Sequence, residues 1–223
     1  MFPTLTAKHP LKFWNLRRYA TARELADLQG FPQSFILPTK GVVRLFGNTV
    51  SVPVVEWIVR KIKPTTFLDL FSGIGGFHVA LKSVHPEIKC VGYSEILPCA
   101  VQTYEKNFPN TPALGDICSL KAPPCDLICA GFPCKPFARP NYRLKATHPL
   151  RGMYRHVLRC VEESGARFVV MENVPGLLER GREIYKEIVE GLSNFEVSTF
   201  KLNSADFGLR QSRKRVYILA VHK

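Results

Sequence analysis

From residue 67 onward, short apolar runs alternate with amphipathic stretches, and the first run empties into the glycine turn Ser72-Gly73-Ile74-Gly75-Gly76. Strand-like runs fall at 67–71, 89–94, 126–130, 167–171, 196–202 and 215–221, with helix-like stretches at 98–107, 151–164 and 182–192 between several of them. A strand that turns into a helix and returns as another strand can only close as a parallel crossover unit, so the pattern predicts an α/β domain with a mostly parallel sheet covered by helices. The first 64 residues read differently, with a helix-like segment at 21–29, turn signals at Phe31-Pro32 and Pro38, and a helix over 52–63 stopped by Pro64. Only a few residues separate that helix from the first strand. The division is therefore a 1–64 segment packed on a 65–223 domain, and no internal repeat or low-complexity tract breaks it.

At 223 residues and 46% hydrophobic the chain can bury one substantial core. Thirty-one Lys and Arg against 18 Asp and Glu leave a formal charge of +13, which favours a polyanionic partner, nucleic acid foremost, although a merely basic soluble protein fits the same number. The seven cysteines are odd in number and lack C-x-x-C pairs or a nearby histidine pair, which argues against a zinc site or a disulfide framework. No metal site is expected. The sequence shows no cleavable leader and no apolar stretch approaching bilayer length, and the expected location is the cytoplasm, with reduced thiols.

Missing side chains in a turn after a first strand let backbone approach a ligand at the sheet's carboxyl edge. The dinucleotide fingerprint needs a third glycine where this chain has His78, which disfavours a nicotinamide or flavin enzyme. Glu95, at the end of the second strand-like run, is placed to accept from ribose hydroxyls, and Asp116 from an adenine edge; either alone reads equally as a surface carboxylate. In Gly131-Phe132-Pro133-Cys134-Lys135-Pro136-Phe137 the prolines exclude helix and ladder, so the Cys134 thiol is presented on a stiff turn. A buried structural cysteine is the competing reading, since a free thiol of pKa about 8.5 is mostly protonated at neutral pH.

The segment 132–137 resembles the nucleophile motif of the cytosine-C5 DNA methyltransferase family. Asp69-Leu70-Phe71-Ser72-Gly73-Ile74-Gly75-Gly76 is similar to its cofactor loop, Arg151-Gly152-Met153-Tyr154 to its fifth block, Met171-Glu172-Asn173-Val174 to the block bearing its glutamate, and Gln211-Ser212-Arg213-Lys214-Arg215 to its eighth. The stretch 21–32 resembles the ninth block and Phe46-Gly47-Asn48-Thr49-Val50 the tenth, so the blocks stand in circularly permuted order. The resemblance implies a Rossmann-like S-adenosylmethionine-dependent methyltransferase fold with a mostly parallel seven-stranded sheet and helices on both faces.

It further implies a reaction: methyl transfer from S-adenosyl-L-methionine, leaving S-adenosyl-L-homocysteine, to C5 of a flipped-out cytosine in DNA. Cys134 would be the nucleophile, Glu172 a partly buried proton-holding carboxyl at N3, Arg215 the holder of O2, and Arg213 an orienting group. The cofactor would be held by Phe71, Gly73, Ile74, Gly75, Gly76, Glu95, Ile96, Asp116, Ile117, Pro133 and Tyr154, with Asn48 and Thr49 completing the pocket. Lys135, Arg139, Arg143 and Lys145, on a loop over 135–150 expected to close on the base, together with Gln211, would contact DNA. Lys135 and Ala138 stand where the family usually has Gln and Ser. No target-recognition region lies between the eighth- and ninth-block residues, so a second polypeptide is expected to supply it. The setting implied is a prokaryotic restriction-modification system acting at the nucleoid; a non-catalytic DNA-binding subunit and an RNA cytosine-C5 methyltransferase are the alternatives.

Overall fold

A computed structural model describes residues 1–13, 15–134 and 148–223. Lys135, Arg139, Arg143 and Lys145 lie outside the described residues. The elements in order are β1 (Lys12–Phe13), β2 (Arg18–Tyr19), α1 (Ala22–Asp27), α2 (Val42–Asn48), α3 (Val52–Val59), β3 (Thr66–Leu70), α4 (Gly76–Val84), β4 (Lys89–Ser94), α5 (Pro98–Asn107), β5 (Leu127–Ala130), α6 (Met153–Ser164), β6 (Phe168–Asn173), α7 (Gly176–Glu179), α8 (Arg182–Gly191), β7 (Phe195–Asn203) and β8 (Lys214–His222).

The main sheet runs β4-β3-β5-β6-β8-β7. Its first four strands are parallel, and β8 lies antiparallel between β6 and β7. Among the described residues it has six strands, not the seven expected. The seventh shrinks to one parallel bridge, Tyr93 to Ala113, held by Tyr93 N–H to Pro112 O at 3.0 Å and Leu114 N–H to Tyr93 O at 2.9 Å. Pro112 has no N–H to give, and Gly115 turns left-handed at φ 70°, so the paired stretch ends almost where it begins.

Alternation along the strands divides the core in two. Phe67, Leu127, Cys129, Val170, Tyr217 and Leu219 face one side, where they share a cluster with Leu25, Phe46, Val55, Ile58 and Val59 of the first 64 residues. Leu68, Leu70, Ile128, Val169, Met171, Val216 and Ile218 face the other, against Tyr154, Val157, Cys160 and Val161 of α6 and Ile184 and Ile188 of α8. The spacing of those α6 residues puts them on one helical face, and Gly165, left-handed at φ 64°, caps the helix. At about 1.5–3 kcal/mol per fully buried aliphatic or aromatic side chain, both clusters are needed to offset chain entropy.

The N-terminal segment departs from its sequence reading. The helix α2 occupies a stretch to which the hydrophobic pattern assigned no element, and α3 ends at Val59 because Lys61 and Ile62 bond back three residues, to Ile58 O and Val59 O, in a tightened last turn. The window Val42–Val59 does reach 18 residues at a mean hydropathy of 1.4, longer than the sequence reading allowed for an apolar stretch. Thr49, extended at φ −78°, ψ 161°, breaks it into two core helices. The β1–β2 ribbon was not anticipated.

Gly47 in α2 marks a close approach: a Cβ there would stand 2.4 Å from the carbonyl carbon of Thr6. Backbone cannot yield as a flexible side chain does. Gly47→Ala should therefore destabilise the fold by about 1–3 kcal/mol, read as a lowered midpoint in thermal unfolding; an unchanged midpoint would show that residues 6–7 are not packed on α2.

Candidate active site

Three strand ends converge on one spot. β5 stops at Ala130 and releases the turn Gly131-Phe132-Pro133-Cys134; β6, its parallel neighbour, ends with Glu172 and Asn173; β8, antiparallel to β6, begins with Lys214 and Arg215. Asn173 Nδ2 donates to Phe132 O at 3.0 Å and its Oδ1 accepts from Val174 N–H at 2.9 Å, so this buried amide ties the end of β6 to the turn carrying half-buried Cys134. The sequence reading included Asn173 in a motif but gave it no task. A buried amide just past a strand is the signal that could have assigned one.

Glu172, buried, receives Arg215 Nε on Oε1 at 3.0 Å. Burial raises its pKa from the usual carboxylate range, against the opposing pull of Arg215 and Arg213. The Cys134 thiol is also pushed up, first by burial and then by Glu172, with Arg215 and Arg213 working the other way. Thiol and carboxyl thus each favour holding a proton while a guanidinium stands ready to stabilise the charge either would carry.

Gln211 does not face DNA. It is fully buried; its Oε1 accepts from Leu5 N–H at 2.7 Å, and its Nε2 donates to Leu28 O at 2.9 Å and Gln29 Oε1 at 3.3 Å. Gln29 extends the chain, donating to Phe46 O at 2.8 Å and accepting from Ser51 Oγ at 3.0 Å. A buried amide with every group satisfied has nothing left to offer a base, so this residue leaves the DNA-binding set. Gln29 and Ser51 had no sequence signal.

Arg213, 3% exposed, donates Nη1 to Leu5 O at 3.0 Å and Nη2 to Gly47 O at 3.1 Å and Thr49 O at 2.8 Å, leaving Nε without a partner. Burial and the neighbouring Arg215 bring its pKa down to about 9. Its charge reaches Glu172 and Cys134, but its hydrogen bonds go to the N-terminal segment, which makes it a positioning residue.

The glycine loop leaves β3 beside the nucleophile turn, since Leu70 is in register with Ala130. Gly73, at φ 56°, faces open space: a Cβ added there meets nothing within 4 Å. Its N–H donates to Glu95 Oε2 at 3.0 Å, while Glu95 Oε1 accepts from Ile96 and Leu97 N–H, both at 2.8 Å. Phe71 adopts a left-handed φ of 53°, Ile74 is buried and Gly75 caps α4. Thr49 Oγ1 lies 2.8 Å from where a Gly76 Cβ would be, so the residue after α2 closes on the loop, with exposed Asn48 next to it. Ile96 is 71% exposed beside Glu95, and Asp116 is exposed, its carboxyl kept low by Cys118 N–H at 2.9 Å, with Ile117 buried behind it. Pro133 is half-buried. Tyr154 is placed differently from its expected role: its ring is in the second core cluster and its hydroxyl is taken by Glu187 and by Arg155 Nε at 3.0 Å. Among the described residues no three His, Cys, Asp or Glu side chains gather as a metal site.

Parallel strands covered on both faces, a glycine loop with an acidic residue at the next strand end, and a reactive group at the adjoining edge define a Rossmann-like S-adenosylmethionine-dependent methyltransferase fold. The family described as C-5 cytosine-specific DNA methylase matches residues 6–64 and 65–223, and the chain belongs to it. Type II methyltransferase M.MspI of Moraxella sp is 39% identical over 161 residues, 69% of this chain and 38% of that protein. Type II methyltransferase M.HhaI of Haemophilus parahaemolyticus is 34% identical over 167 residues, 72% of this chain and 50% of that one. Among solved structures, S. pombe Dnmt2 methyltransferase has a TM-score of 0.56 at 27% identity, covering 71% of this chain and 51% of its own. A mutant of Spodoptera frugiperda DNMT2 has a TM-score of 0.58, also at 27% identity, covering 70% and 50%. The chain spans half or less of the length of the two Type II enzymes.

S-adenosyl-L-methionine is the cofactor of this family, and the residues present fit it. The opening above Gly73 accommodates a ligand, buried Ser72 Oγ has no partner within the protein, and the carboxylates of Glu95 and Asp116 match hydroxyl and amino donors.

Two outcomes test the electrostatics. Because the ionised Glu172 carboxylate raises the Cys134 pKa, Glu172→Gln should lower it at alkaline pH, where that carboxyl has lost its proton, leave more thiolate there, and speed iodoacetamide labelling of that thiol several-fold; slower or equal labelling across an alkaline pH series refutes the coupling. Arg213→Ala strips three carbonyls of a charged donor and should lower stability by about 3 kcal/mol or more in denaturant unfolding, whereas a loss below about 1 kcal/mol would mean that the arginine does not tie the segment down.

Proposed function

We propose that this chain transfers a methyl group from S-adenosylmethionine to C5 of a cytosine rotated out of duplex DNA, through a covalent adduct on Cys134. The observation that carries the reading is Cys134 on a proline-stiffened turn beside the Glu172–Arg215 pair, one strand from the glycine loop. Cytosine C5 is a weak nucleophile. Addition of the Cys134 thiolate at C6 moves the ring's electron pair towards C5, and charge building on the ring is met by a proton held on Glu172 at N3. The raised pKa of Glu172 keeps that proton available, and Arg215, braced against Glu172, supplies a donor for the O2 side. The cofactor's sulfonium supplies an electrophilic methyl group. The C5–H proton then passes to a base, and the electron pair of that bond expels the Cys134 thiolate from C6.

The geometry needs the ring to leave the helix, at a cost of a few kcal/mol, because stacked bases do not expose C6. The net charge of +13 supports an electrostatic attraction to the backbone that offsets this cost. In this reading residues 1–64 carry blocks that stand last in other family members. Support comes from the family match in two consecutive segments, 6–64 and 65–223, and from Thr49 closing against Gly76.

Sequence recognition is proposed to come from a second polypeptide, bound near Gln211, which bridges to Phe2 and whose side chain meets Leu28 and Gln29 of the stretch read as the ninth block. Co-expression with a neighbouring open reading frame should then yield site-specific methylation, and full specific activity from the chain alone argues against a second subunit. Cys134→Ser should abolish both tritium transfer from labelled cofactor and the denaturant-stable complex on 5-fluorocytosine DNA, while cofactor binding persists. Retention of either by the variant would rule out the sulfur as nucleophile.

A further inference from the structure

Away from the catalytic cleft, α7, α8 and β7 enclose an open depression of about 610 Å³ lined by Leu178, Arg182, Tyr185, Lys186, Thr199 and Lys201. No carboxylate lines it. Its three cations are exposed and make no ion pair among the described residues. The neighbouring helix behaves oppositely: Arg151, just before α6, and Arg155 and Arg159 on it pair with Glu183 at 3.6 Å, Glu187 at 3.0 Å and Glu163 at 2.8 Å. Glu183 and Glu187 of α8 thus turn to Arg151 and Arg155, while Arg182 and Lys186, four residues apart, line the depression with Lys201. Grouped like charges cost stability unless an anion joins them.

The shape is fixed by neutral contacts. Tyr185 OH and Thr199 Oγ1 bond at 2.9 Å, joining α8 to β7 across the floor. Gly181 caps α8 without a side chain, which leaves first-turn amides and the positive end of the helix dipole on the same rim as Arg182.

Register locates the depression relative to the chemistry. Lys201 pairs with Val216, and Val216 with Asn173, the residue after Glu172. Two strand spacings put Lys201 about 10 Å across the sheet from Asn173. It therefore stands at the same edge as Cys134. Three unpaired cations a strand or two from the catalytic cleft suit the phosphates of a duplex with one base in that cleft.

We infer that Arg182, Lys186 and Lys201 form a phosphate-contact site for the backbone of the nucleic-acid substrate, distinct from the catalytic cleft. The inference rests on the proposed DNA substrate but not on the Cys134 chemistry. Each phosphate contact contributes about 0.9 to the log–log slope of affinity against salt. Binding of a fluorescent duplex, followed by anisotropy from low to moderate NaCl, should flatten by about 2.7 in slope for Arg182→Ala/Lys186→Ala/Lys201→Ala, with cofactor affinity and unfolding midpoint unchanged. Lys63→Ala/Lys89→Ala/Lys223→Ala, at the opposite sheet edge, removes the same charge and should change the slope far less. An equal change from both triples, or none from the first, overturns the site and leaves the methyltransferase reading intact. Failure of the unsubstituted chain to bind duplex DNA even at low salt would instead remove the DNA substrate, and the site with it.

Discussion

A guanidinium buried among three backbone carbonyls holds this molecule together at its most consequential point. Arg213 reaches from the start of β8 to Leu5, Gly47 and Thr49, and Gln211 two residues earlier reaches to Leu5, Leu28 and Gln29. Charged hydrogen bonds of this kind contribute about 1.5–3 kcal/mol each, and breaking one strands a polar group away from water. Leu5, Leu28, Gln29, Gly47 and Thr49 are consequently fastened to the strand that bears Arg215, and this seam joins the first 64 residues to the sheet.

The seam also links the two halves of the cleft. Thr49 gives its carbonyl to Arg213 and turns its hydroxyl towards the glycine loop, so one residue touches both. Asn173 does the equivalent work between β6 and the cysteine turn. Such buried bonds place the reacting groups before any ligand arrives, which is where a positioned site gains over a loose one.

Much of this was legible from residues alone. The six strands fall within two residues of their expected positions: the four parallel ones because a sheet buried on both faces demands continuous apolar runs, and antiparallel β7 through its alternating half-buried and exposed residues. The seventh was overestimated: a family pattern carries the strand, whereas Pro112 and Gly115 allow only a bridge. Helix α2 escaped notice because Val42-Val43 and Gly47 are weak helix formers whose state is decided by packing on residues 6–7. Gln211 was misassigned for a related reason. Position in a motif says that a residue is needed, not which way it points, and the burial that settles the question comes from residues some 180 positions distant. Tyr154 followed the same course once Glu187 on α8 claimed its hydroxyl.

Six of the seven thiols sort by their surroundings, and the seventh, Cys99, is half-buried. Cys90, Cys125, Cys129 and Cys160 lie within the hydrophobic layers, where burial pushes each of them up, Cys90 to about 12 and Cys125 and Cys160 to about 11. Cys118 on the surface is raised as well, partly by Asp116. Among the thiols discussed only Cys134 has two guanidinium groups favouring its anion, against the burial and the Glu172 carboxyl that hold its proton on. An oxidant that reached Cys134 would modify the sulfur on which the proposed reaction depends.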